Sequence, residues 1–147
     1  MRLSVRFFVA AGLYLIAANE CFAGEQLDDP PVVRLIATGG TIANHPNGRL
    51  TADELVALVP SLNRFVSVET EQFTNISSSA LSLDQWLELS NRLNIILDER
   101  PDLNGIVLTT GTDTLEETAY FLNLTVKTDR PVVVVGAMRT PDEVGYD

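Results

Sequence analysis

Apolar positions along this chain fall into two rhythms, short unbroken runs and helical spacings, and the two alternate. "VVRLIA" (residues 32–37) is β-branched and mostly apolar, which predicts a short buried strand. "TGGTIANHPNGR" after it is rich in Gly, Asn and Pro and reads as loop. Thr51 and Glu54 have capping-box spacing and start a short helix running toward Pro60. "FVSVETEQF" (65–73) alternates, with Phe65, Ser67, Glu69 and Glu71 on one parity and Val66 and Val68 on the other, and predicts a strand. "NISSSA" follows as a loop. Ser82 and Gln85 repeat the capping-box spacing. From residue 83 to 97 the pattern puts Leu83, Trp86, Leu87, Leu93, Ile96 and Leu97 mainly on one face, as in a helix packed on a core. "GIVLT" (105–109) predicts the next strand. "DTLEETAYFLNLTV" predicts the next helix, opened by Asp113 with Glu116 three residues on, and "PVVVVGAM" a further buried strand. Strands that alternate with helices and are apolar throughout imply an α/β domain, its mostly parallel sheet covered by helices on both faces.

The chain has 147 residues, enough for one compact domain with a real core. Its first 23 residues stand outside that domain. Arg2 and Arg6 precede an apolar run over residues 7–18, and Cys21 and Ala23 hold the small-residue positions of a cleavage site. This is the pattern of a secretory signal peptide, too short for a comfortable membrane span, with an uncleaved anchor as the alternative. Residues 24–31 ("GEQLDDPP") read as a flexible lead-in and residues 32–147 as the domain. Export to the periplasm or the medium is the expected destination. The formal net charge of -10 argues against a nucleic-acid binder or a protein drawn to anionic membranes, since both need concentrated Lys and Arg. Signal removal would also take Cys21, the single cysteine, and leave His45 as the sole histidine. Neither a disulfide nor a zinc site is therefore expected.

Ligands of such sheets bind beyond the carboxyl ends of the strands, where the loops converge. Two loops there carry unusual chemistry. "ATGGTIA" places the pair Gly39 and Gly40 before Thr41, and "TTGTDT" gathers four threonines around Gly111 and Asp113. Adjacent glycines turn the chain tightly and expose amides that can receive a carboxylate or a developing oxyanion, although a plain sharp turn is the simpler reading. Asp113 likewise reads either as a binding carboxylate or as the N-cap of its helix. Neither loop has the spacing of a nucleotide-binding motif.

Taken together, "ATGGTIA", "GTDTLEETAYFL" and "PVVVVGAMR" resemble the bacterial-type L-asparaginase family, particularly its secreted type II members, over nearly all of the chain from Val32 onward. The resemblance implies hydrolysis of asparagine to aspartate and ammonia without metal or organic cofactor. Thr41 matches the threonine that attacks the side-chain amide, and Thr112 matches the second catalytic threonine. Asp113 matches the carboxylate that holds the substrate ammonium, and Ser78 the serine that contacts its α-carboxylate. Gly40 belongs to the loop whose amides would meet the substrate. A homotetramer is implied for the full-length protein. Action on glutamine as well as asparagine is the alternative.

The departures from the family are specific. A long lid after the first motif normally carries a tyrosine that helps activate the first threonine; "NHPNGR" is short and has none, which leaves His45 or a residue outside the chain for that task. Thr110 stands where many members have histidine, and Ser79 where members acting on both amides often have glutamine. The family's catalytic lysine lies beyond "VGAMR", and a C-terminal domain supplies a glutamate to a neighbouring subunit. The sequence ends at "PDEVGYD" before either. The expectation is an incomplete N-terminal domain, inactive by itself, with a non-catalytic acidic-amino-acid-binding module as the second possibility.

Overall fold

The computed structural model describes residues 29–145, so the export-signal pattern at residues 1–23 lies outside the described residues. In chain order the elements are β1 (Val32–Gly39), β2 (Asn44–His45), β3 (Gly48–Arg49), α1 (Ala52–Ala57), β4 (Ser67–Ile76), α2 (Leu83–Glu99), β5 (Leu103–Thr109), α3 (Leu115–Thr125) and β6 (Val132–Val135). Short 3-10 turns occupy Thr41–Ala43, Pro60–Arg64, Ser78–Ala80 and Thr112–Thr114.

β4, β1, β5 and β6 form one sheet in that order, and each neighbouring pair is parallel. This is the α/β architecture expected from the alternating pattern. β1, flanked on both sides, is the most sequestered strand toward its end: Ile36 and Ala37 are fully buried. Ile36, Ile106, Leu108, Val132 and Val134 share one face and pack against Leu89, Leu93, Ile96 and Leu97 of α2 and Leu122 of α3. On the opposite face, Leu35, Val107 and Val135 meet Leu55 and Val56 of α1 and Leu62 of the following turn around an apolar trough of about 230 Å³. Helices thus lie on both faces. The second covering is thin, because α1 has only 6 residues, and Val133 at the sheet edge is left 48% exposed.

Both capping boxes form. Thr51 Oγ1 accepts from the Glu54 amide and Ser82 Oγ from the Gln85 amide, while each partner side chain accepts from the cap residue's own N–H. Other expectations are corrected. The buried face of α2 is built from Leu89, Ser90, Leu93, Ile96 and Leu97, whereas Leu83 and Leu87 are 74% and 54% exposed. A short amphipathic window fits more than one stripe, and the sheet selects the stripe that meets its own ridges. Trp86 packs as its place on the expected face implies, its ring tilted against Phe121 with centroids 5.7 Å apart. Asp113 does not cap α3. A 3-10 turn intervenes at Thr112–Thr114, the helix starts at Leu115, and no side-chain cap bond forms at Thr114. The loop after β1 is more ordered than its Gly/Asn content suggests, since Asn44 and His45 pair antiparallel with Arg49 and Gly48 in a miniature hairpin.

Candidate active site

The chain leaves β1 toward β4 on one side of the sheet and leaves β5 toward β6 on the other. The carboxyl ends of β1 and β5 therefore flank the point where the strand order reverses, the usual position of a ligand crevice in such sheets. The two polar loops singled out in the sequence are the ones that emerge there.

Hydroxyls tie the strand ends together. Thr38 Oγ1 donates to the Thr109 carbonyl at 3.0 Å, and Thr74 Oγ1 donates to the Thr38 carbonyl at 2.9 Å. From this base the chain turns through Gly39 and Gly40, with φ of 104° and 83°. L side chains rarely adopt such φ values. The close approach is as demanding: a Cβ on Gly40 would stand 2.2 Å from Gly111 Cα, and one on Gly111 would stand 2.7 Å from Ser78 Oγ. Glycines at 40 and 111 thus let the loops after β1, β4 and β5 touch backbone to backbone.

The product of that approach is a cleft of about 50 Å³, with Thr41 and Asn44 on one wall, Ser77 and Ser78 on another, and Thr112 and Asp113 on a third. Arg49 reaches it from β3. All five residues expected to form a site, Gly40, Thr41, Ser78, Thr112 and Asp113, line this one cavity. Its volume is enough to admit polar groups of a ligand.

Ser78 is 2% exposed, yet its Oγ has no hydrogen-bond partner among the described residues. A buried hydroxyl left unpaired costs about 1–3 kcal/mol, which a ligand oxygen or nitrogen would recover. The Ser78 carbonyl is held in place, accepting from Thr114 Oγ1 at 3.2 Å. Thr110, fully buried behind Gly111, also has an unpaired Oγ1. The cleft is electrically polar: the Asp113 carboxylate lies on one wall, and the Arg49 guanidinium donates to Ser77 Oγ on another at 3.0 Å.

Two sequence readings change. The Gly40 N–H donates to the Ile76 carbonyl at 3.0 Å, so Gly40 contributes space to the cleft, not a donor for an oxyanion. His45 is not among the cleft residues; it is exposed on the hairpin, where its Nδ1 accepts from the Asn47 amide at 3.3 Å. Arg49 was not anticipated at all. Its only sequence signal is a basic residue ending a short Gly-containing turn, and its reach to the cleft depends on the hairpin. Among the described residues no group of three or more His, Cys, Asp or Glu stands together as a metal centre would require.

A family model described as the asparaginase N-terminal domain matches residues 32–147. The chain is 43% identical over 135 residues to an L-asparaginase 2 of Bacillus subtilis, covering 85% of this chain and 36% of that protein. It is also 43% identical over 125 residues to a glutaminase-asparaginase of Pseudomonas fluorescens, with 78% and 34% covered. Its fold is similar to the crystal structure of a probable cytoplasmic L-asparaginase from Campylobacter jejuni, with a TM-score of 0.73, 41% identity, and 80% and 36% covered. The chain spans about a third of the length of the curated relatives it matches.

Proposed function

The chain belongs to the asparaginase family, and from that premise we propose that it supplies the N-terminal half of the active site of an amidohydrolase acting on L-asparagine. One observation carries the reading: Thr41, Thr112, Asp113 and the unpaired buried hydroxyl of Ser78 converge on one small cleft at the point where the strand order reverses.

In this reading the cleft's polarity orients a zwitterion. The substrate ammonium pairs with Asp113, and its α-carboxylate accepts from Ser78 Oγ, ending that hydroxyl's isolation. Asp113 is exposed on the cleft wall, so its carboxylate is open to the ammonium and supplies the charge that orients it. Thr41 Oγ1 attacks the side-chain amide carbon and gives up its proton. The tetrahedral intermediate collapses as the C–N bond breaks, ammonia leaves carrying a proton, and an ester to Thr41 remains. Water then cleaves the ester to aspartate and restores the hydroxyl. Threonine is a weak nucleophile and needs a base; Thr112, on the facing wall, relays the proton, with the lysine of the family's following segment as its partner. The Gly40 amide, already bonded to the Ile76 carbonyl, takes no part in stabilising the oxyanion. The reading includes export, on the pattern of residues 1–23, and a homotetramer in the full-length protein, on the family resemblance.

Glutamine as a second substrate is favoured by the relative named glutaminase-asparaginase. Ammonia release from asparagine and glutamine, measured on the protein carrying this chain and on its Thr41→Ala and Thr112→Ala variants, tests both. Either substitution is expected to lower asparagine turnover by about 10³-fold or more, as loss of a nucleophile or its relay does, with the fold intact. Near-normal turnover in both variants would refute the reading. Aspartate binding without any ammonia release from the unmodified protein would favour a binding module.

A further inference from the structure

We propose that Arg49 is the positioning residue of this cleft: it latches the β2–β3 hairpin onto the end of β4 and thereby fixes Thr41 opposite Ser78. This rests on the reading of Thr41 as nucleophile.

All three guanidinium nitrogens are engaged. Nε donates to Asn44 Oδ1 at 3.1 Å across the hairpin, Nη1 to the Asn75 carbonyl at 3.3 Å and Nη2 to Ser77 Oγ at 3.0 Å. The contact is reciprocated, since Asn75 Nδ2 donates to the Arg49 carbonyl at 3.4 Å and lies 3.5 Å from the Leu50 carbonyl. The Leu50 amide in turn donates to the Ala43 carbonyl at 2.7 Å, and the Gly40 amide to the Ile76 carbonyl at 3.0 Å. These bonds close a ring: Gly40 to Ile76, back along β4 to Asn75, across to Arg49, and through Leu50 to Ala43. Thr41 and Ile42 are the residues held inside it.

The hairpin needs such a latch. With two residues per strand it is far below the size at which strands hold together unaided, and Gly48 at φ 126° adds backbone freedom to its turn. Arginine suits the task because its planar fork reaches a carbonyl, a side-chain amide oxygen and a hydroxyl together, whereas a lysine ammonium is a single point on a flexible stem. Arg49 also touches Ser77, the neighbour of Ser78, so one side chain anchors the loop of the nucleophile to the wall that would receive the α-carboxylate. Loss of that constraint acts on the geometry of attack, and misplacement by about 1 Å can cost as much as 10²-fold in rate.

The test uses Arg49→Ala and Arg49→Lys in the full protein, with amide exchange at Leu50 and steady-state kinetics on asparagine as readouts. Amide exchange at Ile106, in the core, serves as the control for folding. In Arg49→Ala, Leu50 exchange should accelerate at least tenfold while Ile106 stays protected, and kcat should fall at least tenfold with little change in KM. Arg49→Lys should recover part of both effects. Unchanged Leu50 exchange would overturn the latch whatever the activity. Faster exchange with unchanged kcat would overturn the positioning role. If the unmodified protein hydrolyses no asparagine, the amidohydrolase reading fails and the positioning role falls with it, while Leu50 exchange still decides whether the latch exists.

Discussion

At the scale of single residues, the cleft is made by what is missing from two positions as much as by what is present at others. Gly40 and Gly111 face each other so closely that any Cβ on Gly40 meets the Gly111 backbone, which cannot move without dragging β5. Gly111 has an ordinary φ of -76°, and its Cβ would meet the Ser78 side chain at 2.7–3.0 Å and Gly40 Cα at 3.1 Å. The two substitutions should therefore separate. Gly111→Ala is expected to cost about 1–3 kcal/mol, as overpacking does, and to leave a folded protein; on the proposed function, its aspartate binding is weakened because Ser78 is displaced. Gly40→Ala adds a strained φ to a backbone clash and should be the more damaging. Thermal unfolding together with calorimetric titration of aspartate checks this; equal damage from both would mean the loops can part. The threonines, the glycine pair and Asp113 were legible as a group because small polar residues crowd where an apolar run ends. The commitment of the Gly40 amide to Ile76 was not, because the two are far apart in sequence and meet only when β4 pairs with β1.

At the scale of elements, capping chemistry was read well where it was local and poorly where it was not. Ser82 and Gln85 satisfy each other's backbone donors within one turn, so their spacing alone announced α2. Ser82→Ala should lower stability by about 1 kcal/mol, observable as a shifted denaturant midpoint without a change in slope; no shift would mean that the helix start is held by packing alone. The other end of α2 is finished by a distant residue. Arg130 Nη1 donates to the Arg100 carbonyl at 2.7 Å and the Leu103 carbonyl at 3.0 Å, and Nη2 donates to the Leu97 carbonyl, supplying partners for carbonyls near the helix end. α2 and α3 are joined similarly, by Ser90 Oγ donating to Thr125 Oγ1 at 2.8 Å and Asn94 Nδ2 donating to the Thr125 carbonyl at 3.1 Å. Periodicity registers apolar positions and is blind to polar ones that pair across a fold. For the same reason Ser90 was absent from the expected inner face of α2.

At the scale of the whole molecule, the alternation in β4 acquires a meaning that pattern alone did not give it. Glu69 and Glu71 lie on the side of the sheet shared with α2, where Arg34, Arg92 and Arg100 neutralise them. Glu71 accepts from Arg92 Nε at 2.8 Å, and Glu69 accepts from Arg100 Nη2 at 2.8 Å and from Arg34. The bonds from Arg100, and then those from Arg34, hold the Glu69 carboxyl at a pKa of about 2, against an ordinary value of 4.5. The folded state thus keeps Glu69 ionised where the unfolded chain takes up a proton. The stabilisation is complete above about pH 4.5 and is lost as the pH falls toward 2. Stability measured by denaturant unfolding across that window should fall with acidity, and Glu69→Gln should flatten the fall while lowering stability at neutral pH. An unchanged slope in Glu69→Gln would assign the acid sensitivity to other carboxylates.

The sequence by itself determined what depends on neighbours along the chain. It specified the alternation of strands and helices, both capping boxes, the small polar loops at strand ends, and a resemblance specific enough to group Thr41, Ser78, Thr112 and Asp113. Periodicity, capping and turn chemistry operate within a few residues, so they are written where they act. Tertiary structure decided the rest: the strand order that sets β1 beside β5, the stripe of α2 that faces the sheet, the helix start that leaves Asp113 uncapping, and the reach of Arg49 into the cleft while His45 stays out. Each of these depends on which distant backbone comes within hydrogen-bonding range, and that is fixed only when the sheet closes around β1.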